Sequence, residues 1–138
     1  SLHSSILKSY TYSGIRMLPN PMTEELSAIK KLLEGVSEIN FNSVLINLYR
    51  SGKDSNGWHA DNEKELGKHP VIASLSFGAP RFFYLKHRTQ KDAKLKFELE
   101  HGSLLLMEGA MQEHWLHQIS KTAKKVKPRI NLTFRKII

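Results

Sequence analysis

Apolar and polar residues change rhythm several times along this chain. Between Tyr10 and Ser13 two tyrosines alternate with Thr11 and Ser13, a period-two opening that predicts a short strand. Asn20-Pro21 is a turn signal. Thr23 then stands where an N-cap belongs, and Glu24 and Glu25 complement the positive end of a helix dipole. Leu26, Ile29, Leu32 and Leu33 follow at helical spacing, Lys30 and Lys31 sit toward the end, and Gly35 is the predicted stop. The pattern is that of one amphipathic helix packed on a sheet.

After Asn40 the period returns to two. Val44, Ile46 and Leu48 share one strand face, and Leu45, Asn47 and Tyr49 share the other. Residues 51–57 read as a polar loop. Further strands are predicted at 71–77, 81–86, 94–99, 103–107, 114–119 and 129–137, with turns at Gly78-Ala79-Pro80 and His101-Gly102. The last strand alternates strictly, with Arg129, Asn131, Thr133 and Arg135 opposite Ile130, Leu132 and Phe134. Many short strands behind one leading helix, with no repeat and no linker, predict a mostly β (α+β) architecture. The expected form is a β-sandwich or barrel-like jelly roll.

A length of 138 residues suits one domain, here expected to run over 1–138, and is enough to bury a core without covalent staples. There is no cysteine, hence no disulfide framework and no thiolate metal site. No apolar run approaches a membrane span, and residues 1–8 lack the pattern of a signal peptide. An intracellular protein without a membrane partner is therefore expected. The formal net charge of +8 and the pI near 9.8 change the picture more, because a basic surface favours polyanions, nucleic acid first among them. Lys86, Arg88, Lys91, Lys94 and Lys96 form one cluster, and Lys121, Lys124, Lys125 and Lys127 a second. Tracking a phosphate backbone and simple solvation are evenly matched readings of both.

Without cysteine, any metal must be held by His, Asp or Glu. His59 and Asp61 are two apart, which in extended backbone puts imidazole and carboxylate on one side. That spacing is common by chance. A third ligand from a distant strand would complete the two-His, one-carboxylate face that suits non-haem Fe(II) and its O2 chemistry. His3 lies in an end expected to fray, while His69, His87 and His101 read as surface or turn histidines. His114 and His117 remain; three apart on a strand they face opposite sides, and spacing does not choose between them. Asn47 and Tyr49 share a face, either to meet a small acid or to bond carbonyls in the core, the commoner fate of an isolated pair. Arg129 and Arg135 each carry a fork built for a carboxylate or phosphate.

Taken together, Asn47-x-Tyr49, Gly57-Trp58-His59-x-Asp61-x-Glu63, His117 and Arg129-x-Asn131-x-Thr133-x-Arg135 resemble the AlkB family of Fe(II)- and 2-oxoglutarate-dependent dioxygenases. The likeness is to homologues of the kind found in eukaryotes. The segments from Ala73 to Ala79 and His101 to Leu104 carry it as well, and it extends from about Tyr10 onward. It implies a double-stranded β-helix (jelly roll) core over 40–138 behind a partial nucleotide-recognition lid over about 1–20.

The resemblance also implies roles. His59, Asp61 and His117 are the implied iron ligands, with His114 a neighbour. Arg135 is implied to pair with the distal carboxylate of 2-oxoglutarate, and Arg129 to lie near the cosubstrate and the Asp ligand. Asn47, Tyr49, Asn131 and Thr133 fall around that site. Glu63 falls where the family reads the damaged base. Tyr10, Tyr12 and Ser13 fall in the lid, with Tyr12 and the His59 ring sandwiching a flipped base, or else with Tyr12 packed in the core. Trp58 maps to no family function.

The implied activity uses Fe(II), 2-oxoglutarate and O2 to remove methyl groups from 1-methyladenine and 3-methylcytosine in DNA and in RNA, releasing formaldehyde. No duplex-opening hairpin falls within the sequence, which favours single-stranded substrates. A monomer is expected, in the nucleus of a eukaryote or the cytoplasm of a bacterium. The rivals are a related dioxygenase acting on protein or lipid and a catalytically silent jelly roll that binds nucleic acid. Zinc hydrolysis would leave both arginines unexplained.

Overall fold

The strict alternation at residues 129–135 becomes a central strand of the larger of two facing sheets. In the computed structural model the described residues are 1–5, 10–12 and 15–138, with side chains described for 1–5 and 16–138. In chain order the elements are β1 (Leu2–Ser4), β2 (Tyr10–Tyr12), β3 (Ile15–Met17), β4 (Asn20–Pro21), α1 (Glu24–Ser37), β5 (Ser43–Tyr49) and β6 (Asn56–His59). They continue with a 3-10 turn at Lys64–Leu66, β7 (Ile72–Gly78), β8 (Arg81–His87), β9 (Lys94–Leu99), β10 (Leu104–Met107), α2 (Met111–His114), β11 (Trp115–Ile119) and β12 (Arg129–Arg135).

The large sheet runs β10-β7-β12-β5-β1-β4 and the small one β6-β11-β8-β9, with β2 and β3 as a separate hairpin. Pairing is antiparallel except between β1 and β4. Period-two alternation decides what lies where. Leu45, Tyr49 and Ile72 from the large sheet meet Phe83, Leu85, Leu99 and Ile119 from the small one in a shared core. On the other side, Val44, Ala73, Leu132 and Phe134 are covered by Leu26 and Leu33 of α1. This is the mostly β, jelly-roll arrangement that the sequence predicts, with the helix packed on it.

Helix α1 begins as expected, with Thr23 Oγ1 accepting from the Leu26 amide at 3.2 Å. Its end differs. Gly35 lies inside the helix, and a Cβ there would meet nothing within 4 Å, so nothing forces a turn at that point. The chain turns instead at Glu38, whose φ of 60° is left-handed. Its amide bonds to Glu34 O at 2.9 Å, and the Glu34 carboxylate accepts from the Phe41 amide at 2.9 Å. Leu32, counted in the apolar stripe from its spacing, is 72% exposed.

Four further expectations are corrected. The end containing His3 is not frayed, since β1 pairs with β5 and Leu2 is buried. The polar loop stops at Ser55, because Asn56 and Gly57 belong to β6, which pairs with β11. His114 closes the single turn of α2 rather than opening a strand. The final strand ends at Arg135, and Ile137 N then bonds to Asn42 Oδ1 at 2.8 Å. Within the segment expected to be lid, residues 2–4 and 20–21 join the large sheet. No described helix is long and apolar enough to cross a membrane.

Candidate metal centre

Between the sheets lies a cavity lined by polar residues from both. β6 supplies His59 and β11 supplies His117, directly paired across the small sheet. Their rings stand edge to face with centroids 4.3 Å apart. Asp61 follows β6 by two residues and is 1% exposed, its amide held by Gln112 Oε1 at 2.8 Å. The ligand atoms of His59, Asp61 and His117 all lie within 4.8 Å of one another. Of the two histidines left open by spacing, placement brings His117 and not His114 to this cluster. His114 lies 3.9 Å from the Glu113 carboxylate on an exposed flank, whereas His117 Nε2 is 3.5 Å from Asp61 Oδ2.

Electrostatics favours ligand-ready protonation states. Burial and the neighbouring His117 lower the pKa of His59, so its neutral form is preferred. Its Nδ1 lies 2.7 Å from the Gly57 carbonyl, which makes Nδ1 the protonated nitrogen. Its Nε2 is then left as the donor atom, 3.4 Å from the Asn56 amide. Burial pushes Asp61 up, but Arg135 and His117 outweigh it and hold the carboxyl below the usual carboxylate range. Arg135 Nη2 donates to Asp61 Oδ1 at 2.5 Å. The earlier placement of Arg129 beside the Asp ligand is therefore corrected: Arg135 stands there.

Arg129 occupies the other end of the same strand face. It is 2% exposed, donates through Nη2 to Ser76 Oγ at 2.9 Å, and lies over the Tyr49 ring at 5.0 Å. The Tyr49 hydroxyl lies near enough to favour its charge, yet no well-formed hydrogen bond reaches Nε or Nη1. Between the two arginines runs a short polar ladder. Thr133 Oγ1 donates to Asn131 Oδ1 at 2.6 Å, and Asn131 Nδ2 donates to Ser74 Oγ at 2.7 Å. Asn47 is the register partner of Asn131 and lines the same cavity.

Nearly all the residues singled out for metal or cosubstrate thus converge on one cavity: Asn47, Tyr49, His59, Asp61, His117, Asn131, Thr133 and both arginines line it. Among the base-recognition candidates, Glu63 is the one with a described side chain. Glu63 precedes the 3-10 turn and is absent from that lining. Tyr10 and Tyr12 have described backbone only, in the β2–β3 hairpin, and Ser13 lies outside the described residues. Sequence reasoning missed Ser74, Ser76, Asn56 and Gln112. The two serines alternate with apolar residues in β7 opposite Thr133 and Asn131, a signal available beforehand. Gln112 and Asn56 lie in segments without periodicity.

The sequence also matches the profile described as the 2OG-Fe(II) oxygenase superfamily over residues 2–135. This chain belongs to that superfamily. Among superfamily relatives, alpha-ketoglutarate-dependent dioxygenase alkB homolog 3 of Bos taurus is 45% identical, the match covering 93% of this chain and 48% of the relative. DNA oxidative demethylase ALKBH2 of Homo sapiens is 41% identical over 94% of this chain and 52% of its own length. The likeness is thus to the AlkB branch, and the chain spans about half the length of these relatives. The solved structure of OsALKBH1 shares the fold, with a TM-score of 0.66 at 23% identity over 86% of this chain and 66% of that one. The superfamily implies Fe(II), 2-oxoglutarate and O2. The donor set fits: two imidazoles and one carboxylate on one side leave the other side of an octahedral iron open.

Proposed function

We propose that this chain is the catalytic domain of an oxidative demethylase that repairs 1-methyladenine and 3-methylcytosine in DNA, and that it acts on RNA as well. The observation that carries the reading is the meeting of His59, Asp61 and His117 with the arginine strand β12 in one cavity. A metal triad alone suits many reactions. A buried guanidinium at a fixed distance along the same cavity selects an anionic cosubstrate. The +8 charge and the name of the DNA oxidative demethylase relative support the nucleic-acid side.

Bound iron with 2-oxoglutarate and O2 supplies oxidation of the N-methyl carbon, whose product sheds formaldehyde. The protein's own contributions are electrostatic and positional. His59, held toward its neutral form, and His117 would each offer a ring nitrogen, and Asp61 would offer one charge braced by Arg135. Arg129 is assigned to the distal carboxylate of 2-oxoglutarate, in place of Arg135. Its guanidinium is buried with unmet N–H groups and no carboxylate partner among the described residues, a state that an incoming carboxylate would relieve. Asn47, Tyr49, Asn131 and Thr133 shape the wall between the two ends. Glu63, Tyr10, Tyr12 and Ser13 are assigned to the base. One domain over 1–138, acting as a monomer, completes the reading.

The test is formaldehyde release from single-stranded oligonucleotides carrying 1-methyladenine. Release that requires both Fe(II) and 2-oxoglutarate is expected. Steady succinate formation with no base repaired would reject the substrate and leave the oxygenase standing.

A further inference from the structure

Lys96 from the first basic cluster and Lys121 and Lys124 from the second, far apart in sequence, meet on the outer face of the small sheet. There Phe82 and Tyr84 point away from the core, and Lys96 of the neighbouring strand β9 lies over both rings, 4.2 Å from the Phe82 centroid and 5.6 Å from that of Tyr84. The loop after β11 rises beside them and brings Lys121 and Lys124 to the same groove, an open volume of about 460 Å³. One carboxylate, Glu98, faces these three lysines among the lining residues.

The groove is built rather than incidental. Its loop wall is fastened from below by Arg81, which is 4% exposed and donates to the carbonyls of Ser51, Asp54 and Ser120 at 3.3, 3.0 and 2.7 Å. Thr122 N bonds to Gly52 O at 2.9 Å, and Gly52 is required there because a Cβ would stand 2.4 Å from Thr122 O. The lysines are thus carried on a pinned loop, while Phe82 keeps 38% of its surface exposed.

We infer that this groove is a second nucleic-acid site, distinct from the metal cavity, which holds an unpaired stretch of the strand whose base is being repaired. The inference rests on the nucleic-acid reading proposed above. Two rings on alternate positions of one strand, 6.4 Å between centroids, offer bases a stacking surface once the flexible Lys96 side chain that lies over them swings aside onto the backbone, as aromatic-bearing sheets do for single strands. A duplex keeps its base faces hidden and gains nothing from the rings. Lys96 over the rings, with Lys121 and Lys124 opposite, puts positive charge where a backbone beside stacked bases would run. The same outer face continues to Trp58, next to His59, with Lys86 4.3 Å from its ring. That path leads from the groove toward the ligand strand β6.

The experiment measures binding of an unmethylated twelve-residue oligothymidylate and of an abasic strand of equal length, over a series of salt concentrations. Tighter binding of the strand with bases is expected. Phe82→Ala should erase that preference, a loss of about tenfold. Lys121→Glu with Lys124→Glu, on an exposed loop, should weaken both strands and make the salt dependence shallower by roughly one unit of slope or more. Both variants should release formaldehyde from a methylated trinucleotide at the wild-type kcat, with KM raised for long strands alone. Equal affinity of the wild type for both strands, or unchanged binding in both variants, overturns the groove. A wild type that binds by base and charge but repairs nothing would overturn the demethylase reading and leave the groove in place.

Discussion

Arg129 and Arg135 stand on one face of one strand and do different work because their neighbours differ. Arg135 has its carboxylate, Asp61, inside the protein, and Arg129 has only hydroxyls. Arg129→Ala is therefore expected to weaken 2-oxoglutarate binding about 10- to 100-fold, since a charged hydrogen bond is lost. Metal affinity should be unchanged, and titration calorimetry with each ligand separates the two effects. Asp61→Ala has the opposite profile. It removes a candidate metal donor and takes the carboxylate from a buried ion pair, so it should cost about 3–5 kcal/mol of stability, read from urea midpoints. At this scale the sequence already contained the ligands and the arginines. It did not contain which arginine meets Asp61, because the face that β12 shows is periodic but the path of residues 60–63 over the cavity is not.

Elements respond to local chemistry where tertiary contacts leave them free. Helix α1 ends in a non-glycine residue at positive φ, a conformation glycine adopts without steric cost. Glu38→Gly should thus stabilise the protein by about 0.5–1 kcal/mol, visible as a higher thermal midpoint. After β5, the side-chain hydrogen bond from Arg50 pulls Asp54 down to about 2. A carboxyl whose folded pKa lies below its unfolded value contributes stability above the unfolded value. That contribution fades as pH falls from about 4 toward 2. In Asp54→Asn the acid limb of the stability profile should flatten over that window. The long alternating strands and the start of α1 were legible from their periods. β6 was not, since Asn56 and Gly57 carry no strand signal and are recruited by pairing with β11. Nor was the true end of α1, where a glycine that could have stopped the helix is overruled by the bonds that Glu34 accepts from the Glu38 and Phe41 amides.

Across the whole molecule, the candidate metal site joins the two layers. His59 and His117 belong to the small sheet, while Asp61 is tied through Arg135 to the large one. A metal ion at a hundred times its Kd would add about 2.7 kcal/mol to the folded state. Removing it with a chelator should lower the thermal midpoint by roughly 10 °C, and Mn(II), which does not support the oxidation, should restore it. A midpoint indifferent to chelation would remove the triad from the metal. The jelly roll was legible because strand count and spacing constrain topology strongly. The convergence of the lysine clusters was not, because it depends on a loop fastened by Arg81 to carbonyls more than two dozen residues away in sequence.

The central place of β12 has a consequence for the order of assembly. Among the described strands it comes last in chain order, yet it lies between β5 and β7, and its bond from Ser43 to Arg135 spans 92 residues. Contacts of that separation form late, after much chain entropy has been given up. During synthesis His59, Asp61 and His117 all leave the ribosome before Arg135 does. For that interval His59, Asp61 and His117 exist without the strand whose Arg135 braces Asp61, and the cavity they line lacks one wall. Placing both arginines on a strand that follows all three of these residues leaves the cavity incomplete until that strand has paired.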